Sequence, residues 1–123
     1  MSIIVKNISY SLNNNFLIRD LSFEITNSTF GVVEGISGIG KTTLLNLIAG
    51  LKKPMSGEII LNNKILSNDY EFVLPENRNI GYVFQDFALF PHINVKKNIL
   101  FASKNKNSDF YLKVIKKLNL ESH

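Results

Sequence analysis

The sequence predicts an α/β fold, and three features carry that prediction. A short apolar run, Thr29 to Glu34, leads into a glycine-rich stretch and then into a helical pattern from Lys41 to Ala49. Short runs rich in β-branched residues, bounded by turn residues, flank that unit on both sides. Two further helical patterns close the chain.

Ile3 to Ile8 reads as a strand, Asn13-Asn14-Asn15 as a turn, and Leu21 to Ile25 as a second strand with alternating polarity. Thr29 to Glu34 has the composition of a strand buried on both faces. In the helix that follows, Leu44, Leu45, Leu47 and Ile48 make an apolar face, and Gly50 suits the left-handed position just past its end. Lys52 and Lys53 suit the negative end of that helix, and Pro54 prevents its continuation. Glu58 to Leu61 and Lys64 to Leu66 form a hairpin through Asn62-Asn63. Ser67 to Asn79 reads as loop and Ile80 to Phe84 as another buried strand. Asn94 caps one terminal helix and Ser108 the other.

Bulk composition excludes several classes. The 123 residues suit one domain, and 45% hydrophobic with 20% charged residues is a globular balance. No apolar run approaches the roughly 20 residues of a membrane-spanning helix. The N-terminus lacks the layout of a signal peptide, and the absence of cysteine excludes disulfides and thiolate metal sites. The expected location is therefore cytoplasmic. The net charge of +4 is spread over scattered lysines without an aromatic or arginine platform, so no nucleic-acid partner is expected.

Gly35-Ile36-Ser37-Gly38-Ile39-Gly40-Lys41-Thr42 matches G-x-x-x-x-G-K-[ST], a pattern that arises by chance in about one chain in two hundred of this length. Glycines let backbone amides close round a phosphate without intervening side chains. A loop that opens a helix adds unpaired N–H groups and the positive end of the helix dipole. Lys41 can reach the β- and γ-phosphates, and the Thr42 hydroxyl can ligate Mg²⁺. The ligand expected from these residues is MgATP.

Around this loop the chain resembles the ATP-binding subunits of ABC transporters, especially bacterial importers. The likeness rests on Asp20 to Ile25, Gly35 to Leu45, Ile48-Ala49-Gly50-Leu51, Pro54, Ser56-Gly57 and Ile59. It continues through Arg78 to Gln85, Ala88 to His92, Val95 and Asn98-Ile99. It implies an incomplete P-loop NTPase core of RecA-like type, with an N-terminal antiparallel β subdomain and the start of a helical subdomain. Residues 1–29 and 57–66 would supply the β strands, and 30–56 the phosphate loop and helix. Residues 80–93 would form the Q-loop region and 94–123 the helical start.

The resemblance further implies that Gly35, Ile36, Ser37, Gly38, Ile39, Gly40, Lys41, Thr42 and Thr43 contact the phosphates. Thr42 and Gln85 would approach Mg²⁺, and Gln85 the attacking water. Read alone, Gln85 is a polar residue after a strand. Phe84, Phe87 and Phe90 read equally as core or as contacts to a membrane partner, and His92 as a loop residue. Transmembrane permease subunits and a second copy of the ATPase are the implied partners, at the inner face of the membrane. The Arg78 to Phe101 region is most similar to importers of oxyanions, iron or polyamines.

Two departures stand out. The family's adenine-stacking aromatic falls in register at Leu12, with Tyr10 and Phe16 as the nearest rings. None of the aspartates Asp20, Asp69, Asp86 and Asp109 follows four apolar residues, and every glycine lies at or before Gly81. A Walker B strand, its catalytic glutamate, a signature motif and a switch histidine are therefore not in this sequence. The chain reads as about the first half of that domain, expected to bind ATP but to hydrolyse it negligibly, or as a truncated non-catalytic remnant. GTPase motifs do not occur, and Arg19 and Arg78 are too few for a kinase lid.

Overall fold

The computed structural model describes residues 2–86, 88–101 and 109–120, with only the backbone for 109–111. The chain divides into two compact units, Met1–Tyr82 and Val83–His123.

The first unit is built on a four-stranded antiparallel sheet: β1 (Ile3–Leu12), β2 (Asn15–Ile25), β3 (Ser56–Leu61) and β4 (Lys64–Ser67), in the order β2-β1-β3-β4. Both hairpin turns are asparagine pairs with positive φ at each residue, Asn13 and Asn14 (51° and 63°) and Asn62 and Asn63 (48° and 62°). That is the turn whose twist matches the strands it joins.

A bulge in β1 decides which side chains face the core. Ile3 and Val5 alternate inward, and strict alternation would then turn Ile8 outward. Asn7 instead takes φ 49°, the register slips, and Ile8 is fully buried. The Asn7 amide donates to Ser22 Oγ at 2.8 Å, and Ser22 Oγ donates back to Asn7 Oδ1 at 2.9 Å. Across the bulge sits Gly57, where any Cβ would overlap the Lys6 and Asn7 carbonyls. Beyond the bulge, Ser9 Oγ takes the Asp20 amide at 3.0 Å.

Helix α1 (Lys41–Ala49) lays Leu44 and Leu47 on the face made by Ile3, Val5, Ile8, Ile18, Ile59, Leu61 and Leu66. Leu45 and Ile48, assigned to the same face from sequence, divide: Ile48 packs at the core edge and Leu45 is exposed. Gly50 ends the helix at φ 82°, and the Leu51 amide returns to the Asn46 carbonyl at 2.9 Å.

Two sequence expectations fail. Thr29 to Glu34 and Ile80 to Phe84 were expected to be buried strands, and neither carries a sheet ladder. Phe30 and Val32 are 101% and 78% exposed. A strand exists through its neighbour's hydrogen bonds, and no described segment pairs with either. Their apolar composition registers burial that the described residues do not provide. Of the loop expected from Ser67 to Asn79, Ser67 instead ends β4 and bridges Phe72, and the rest is loop tightened by a 3₁₀ turn at Pro75–Asn77.

In the second unit, α2 (Val95–Leu100) is capped by Asn94, whose Oδ1 accepts from the Lys97 amide at 2.9 Å. Asn98 pins the preceding turn through Nδ2 to the carbonyls of Phe90, Ile93 and Asn94, while its Oδ1 accepts the Phe90 amide. Helix α3 spans Asp109–Lys117. Its expected cap, Ser108, lies outside the described residues.

Because Phe30 and Val32 bury almost nothing, the Phe30→Ser, Val32→Thr double variant should keep its urea unfolding free energy within about 0.5 kcal/mol of the parent. Light scattering at equal concentration should fall, since the pair removes exposed apolar surface.

Candidate functional site

Residues 31–39 run exposed into the N-terminus of α1. Gly35, Gly38 and Gly40 have φ of 149°, 83° and 108°, conformations that side-chain-bearing residues rarely adopt. Gly40 is the N-cap and supplies no capping side chain. The amides of the first helical turn, Lys41, Thr42 and Thr43, have no intrahelical acceptor, as in any α-helix. No acidic residue stands in that turn to offset the dipole.

Gly40 also anchors the loop to the sheet. A Cβ there would lie 3.1 Å from the Leu17 carbonyl oxygen and 3.7 Å from Ile18 Cγ1. The Leu44 amide closes the first turn onto the Gly40 carbonyl at 2.8 Å.

Lys41 folds back over the loop, its ammonium donating to the carbonyls of Gly35 at 2.7 Å and Ile36 at 2.8 Å. Its charge is thereby held against carbonyls of its own loop. Thr42 is exposed on the first turn. Glycine torsions, uncapped amides, an ammonium folded onto the loop and an exposed hydroxyl thus fall within Gly35 to Thr43. That donor set suits a polyphosphate with a small oxygen-seeking cation.

The rings near the β1–β2 hairpin can now be sorted. Alternation along β1 beyond the bulge puts Ile8, Tyr10 and Leu12 on one face, the face on which α1 packs. Tyr10 is engaged there: its hydroxyl is 3.2 Å from Lys52 Nζ, which also lies 5.1 Å from the ring centroid. Lys52 is therefore tied to β1 and is not the cation at the end of α1. Phe16 pairs with Ser11, out of step with Tyr10, and belongs to the opposite face, with Arg19 4.6 Å over its ring. Leu12 is the exposed residue on the α1 side.

The residue that does cap α1 is Arg78, which sequence reasoning passed over. It is 2% exposed, and its Nη1 donates to the carbonyls of Leu47 at 3.1 Å and Ile48 at 2.8 Å. Nε donates to Val73 O at 2.8 Å and Nη2 to Leu66 O at 3.3 Å. Burial pushes its pKa down from the ordinary arginine value. Four residues on, the Tyr82 hydroxyl donates to Asn46 Oδ1 at 2.6 Å. The alternation Arg78, Ile80, Tyr82 is the available signal, crossing the boundary between the expected loop to Asn79 and the expected strand from Ile80.

Gln85 belongs to the second unit, exposed in a turn, whereas the phosphate-loop residues belong to the first. Phe84 and Phe90 are exposed, with the Phe90 ring 4.5 Å from that of Phe101 and edge-on to His92. Phe87 lies outside the described residues.

The fold and this loop define a P-loop ATPase cassette. The ABC transporter family model matches residues 18–123, and the chain belongs to that family. It is 42% identical over 108 residues to the molybdenum import ATP-binding protein ModC of Aliivibrio fischeri, covering 86% of this chain and 30% of that protein. It is 41% identical over 96 residues to the sn-glycerol-3-phosphate import ATP-binding protein UgpC of Bartonella bacilliformis, covering 78% and 27%. Among solved structures it is similar to the ATP-binding cassette MJ0796 in a dimeric post-hydrolysis state with ADP and phosphate. There the TM-score is 0.74 at 29% identity, over 98% of this chain and 58% of that one. The chain thus spans under a third of the two import proteins' length.

Gly40 combines an unfavourable torsion with a tight approach, whereas a Cβ on Gly38 meets nothing within 4 Å. Urea unfolding should show Gly40→Ala losing about 2–3 kcal/mol and Gly38→Ala about 1 kcal/mol.

Proposed function

We propose that this chain is the N-terminal part of an importer's ATP-binding subunit and that it binds MgATP through Gly35 to Thr43. The observation that carries the reading is the glycine loop that opens α1, with the Lys41 ammonium folded onto the Gly35 and Ile36 carbonyls and no acidic side chain in the first turn. In this reading Gly35, Ile36, Ser37, Gly38, Ile39 and Gly40 wrap the phosphates with their backbone. Lys41 moves from its own loop carbonyls to phosphate oxygens. The amides of Thr42 and Thr43 complete the cradle, and the Thr42 hydroxyl turns to the metal. Bound Mg²⁺ would supply positive charge that shields the phosphates. Gln85 would approach the metal and the attacking water in the complete domain.

Leu12 is the proposed contact to the base, since it is exposed on the α1 face and neither Tyr10 nor Phe16 is free to serve there. An aliphatic contact offers no hydrogen bond with which to read adenine. The phosphates therefore carry the affinity.

The import proteins it resembles support a role with transmembrane permease subunits, at the cytoplasmic face of the membrane. The dimeric cassette supports pairing with a second copy. Among the described residues no helix is long and apolar enough to cross a membrane. A second reading, for these 123 residues by themselves, is ATP binding without hydrolysis, since none of their aspartates follows four apolar residues.

Calorimetry on the folded chain should detect magnesium-dependent ATP binding that Lys41→Ala weakens at least 100-fold, the loss of one charged anchor of about 3 kcal/mol. Phosphate release by this 123-residue chain should equal the Lys41→Ala background. Steady turnover above it would overturn the non-hydrolytic reading, and no binding at all would overturn both. Leu12→Trp should tighten ATP by up to about tenfold while leaving inorganic tripolyphosphate unchanged, because stacking adds roughly 0.5–1.5 kcal/mol for the base alone.

A further inference from the structure

Helix α1 is held to the sheet by Leu44 and Leu47, and its N-terminal turn rests on Leu17 through Gly40. Packing of this kind fixes the depth of a short helix better than its tilt, because apolar contacts are not directional. The directional bonds lie at the other end. Arg78 joins the last α1 carbonyls, Leu47 and Ile48, to β4 at Leu66 and to the loop at Val73. Tyr82 adds a bond to Asn46, the residue just before Leu47 on the side of the loop, and Ile80, between Arg78 and Tyr82 in the chain, packs against the core. Gly50 leaves room for this arrangement, since a Cβ there would overlap the guanidinium.

We infer that Arg78 and Tyr82 are positioning residues for the phosphate-binding end of α1, acting through the helix axis. At about 1.5 Å per residue, Asn46 is some 9 Å from Gly40, so a small change of tilt at one end displaces the amides at the other. Aligned donors lose strength steeply with misplacement, and errors near 1 Å cost about 100-fold in comparable sites. This inference rests on the proposed phosphate site.

The test uses the full chain with Tyr82→Phe, which keeps the ring and removes one hydroxyl, and with Arg78→Lys, which keeps the charge and loses the planar fork. Three quantities are measured: the urea midpoint, the amide ¹H–¹⁵N shifts of Gly40 to Thr43 without ligand, and MgATP affinity. Tyr82→Phe should leave the midpoint nearly unchanged, move those amide signals, and weaken MgATP about 3- to 10-fold. Arg78→Lys should act in the same direction and more strongly. If Arg78→Lys does not fold, Tyr82→Phe carries the test. A folded Tyr82→Phe with parental amide shifts and parental affinity would overturn the inference. If the parent chain binds no MgATP, the phosphate reading fails, and the amide shifts still decide whether α1 is positioned from its far end.

Discussion

A guanidinium out of contact with water must be surrounded by acceptors, and among the described residues no carboxylate performs that task for Arg78. Its acceptors are backbone carbonyls from the end of α1, from β4 and from the loop after it. A buried charge without such partners would cost several kcal/mol. Helix, strand end and loop therefore have to meet where they do. The same requirement explains Gly50 beyond its own torsion: the residue after the helix must leave space for Arg78. The Phe72 ring, 4.9 Å from the guanidinium carbon, closes one side with a cation–π contact. The last-turn carbonyls of α1 and the cation meet as helix electrostatics favours.

Much of this molecule was legible in the sequence where the cause was local. The second hairpin is legible in Asn62-Asn63, the first turn in Asn13-Asn14-Asn15, the end of α1 in Gly50 and the cap of α2 in Asn94. Each depends on a torsion or a hydrogen bond within a few residues. Features set by distant neighbours were read less well. Thr29 to Glu34 and Ile80 to Phe84 have strand composition, but a strand is defined by what pairs with it. The bulge at Asn7 extends β1 to Leu12 with its polarity reversed, so the sequence pattern ended at Ile8. Lys52 was assigned to the helix end by proximity along the chain, and Arg78, farther along, holds that place.

The proposed phosphate-loop residues stand out in the sequence because the chemistry of holding an anion with bare backbone leaves little freedom in composition. What the coordinates add is arrangement. Gly40 is pressed onto Leu17, so the loop is registered against β2 and not only against its own helix. Phe16, out of register with Leu12 in the sequence, pairs with Ser11, whereas Leu12 pairs with Asn15.

Among the described residues, asparagine supplies seven of the positive-φ positions other than glycine: Asn7, Asn13, Asn14, Asn62, Asn63, Asn79 and Asn119. Glycine would fit those torsions with less strain, but it would also widen the ensemble that the denatured chain explores. An amide side chain accepts the left-handed region at modest cost and restrains the backbone when the protein is unfolded. The abundance of this residue thus has a thermodynamic effect: the turns give up less disorder on folding than a glycine-rich chain of the same shape would.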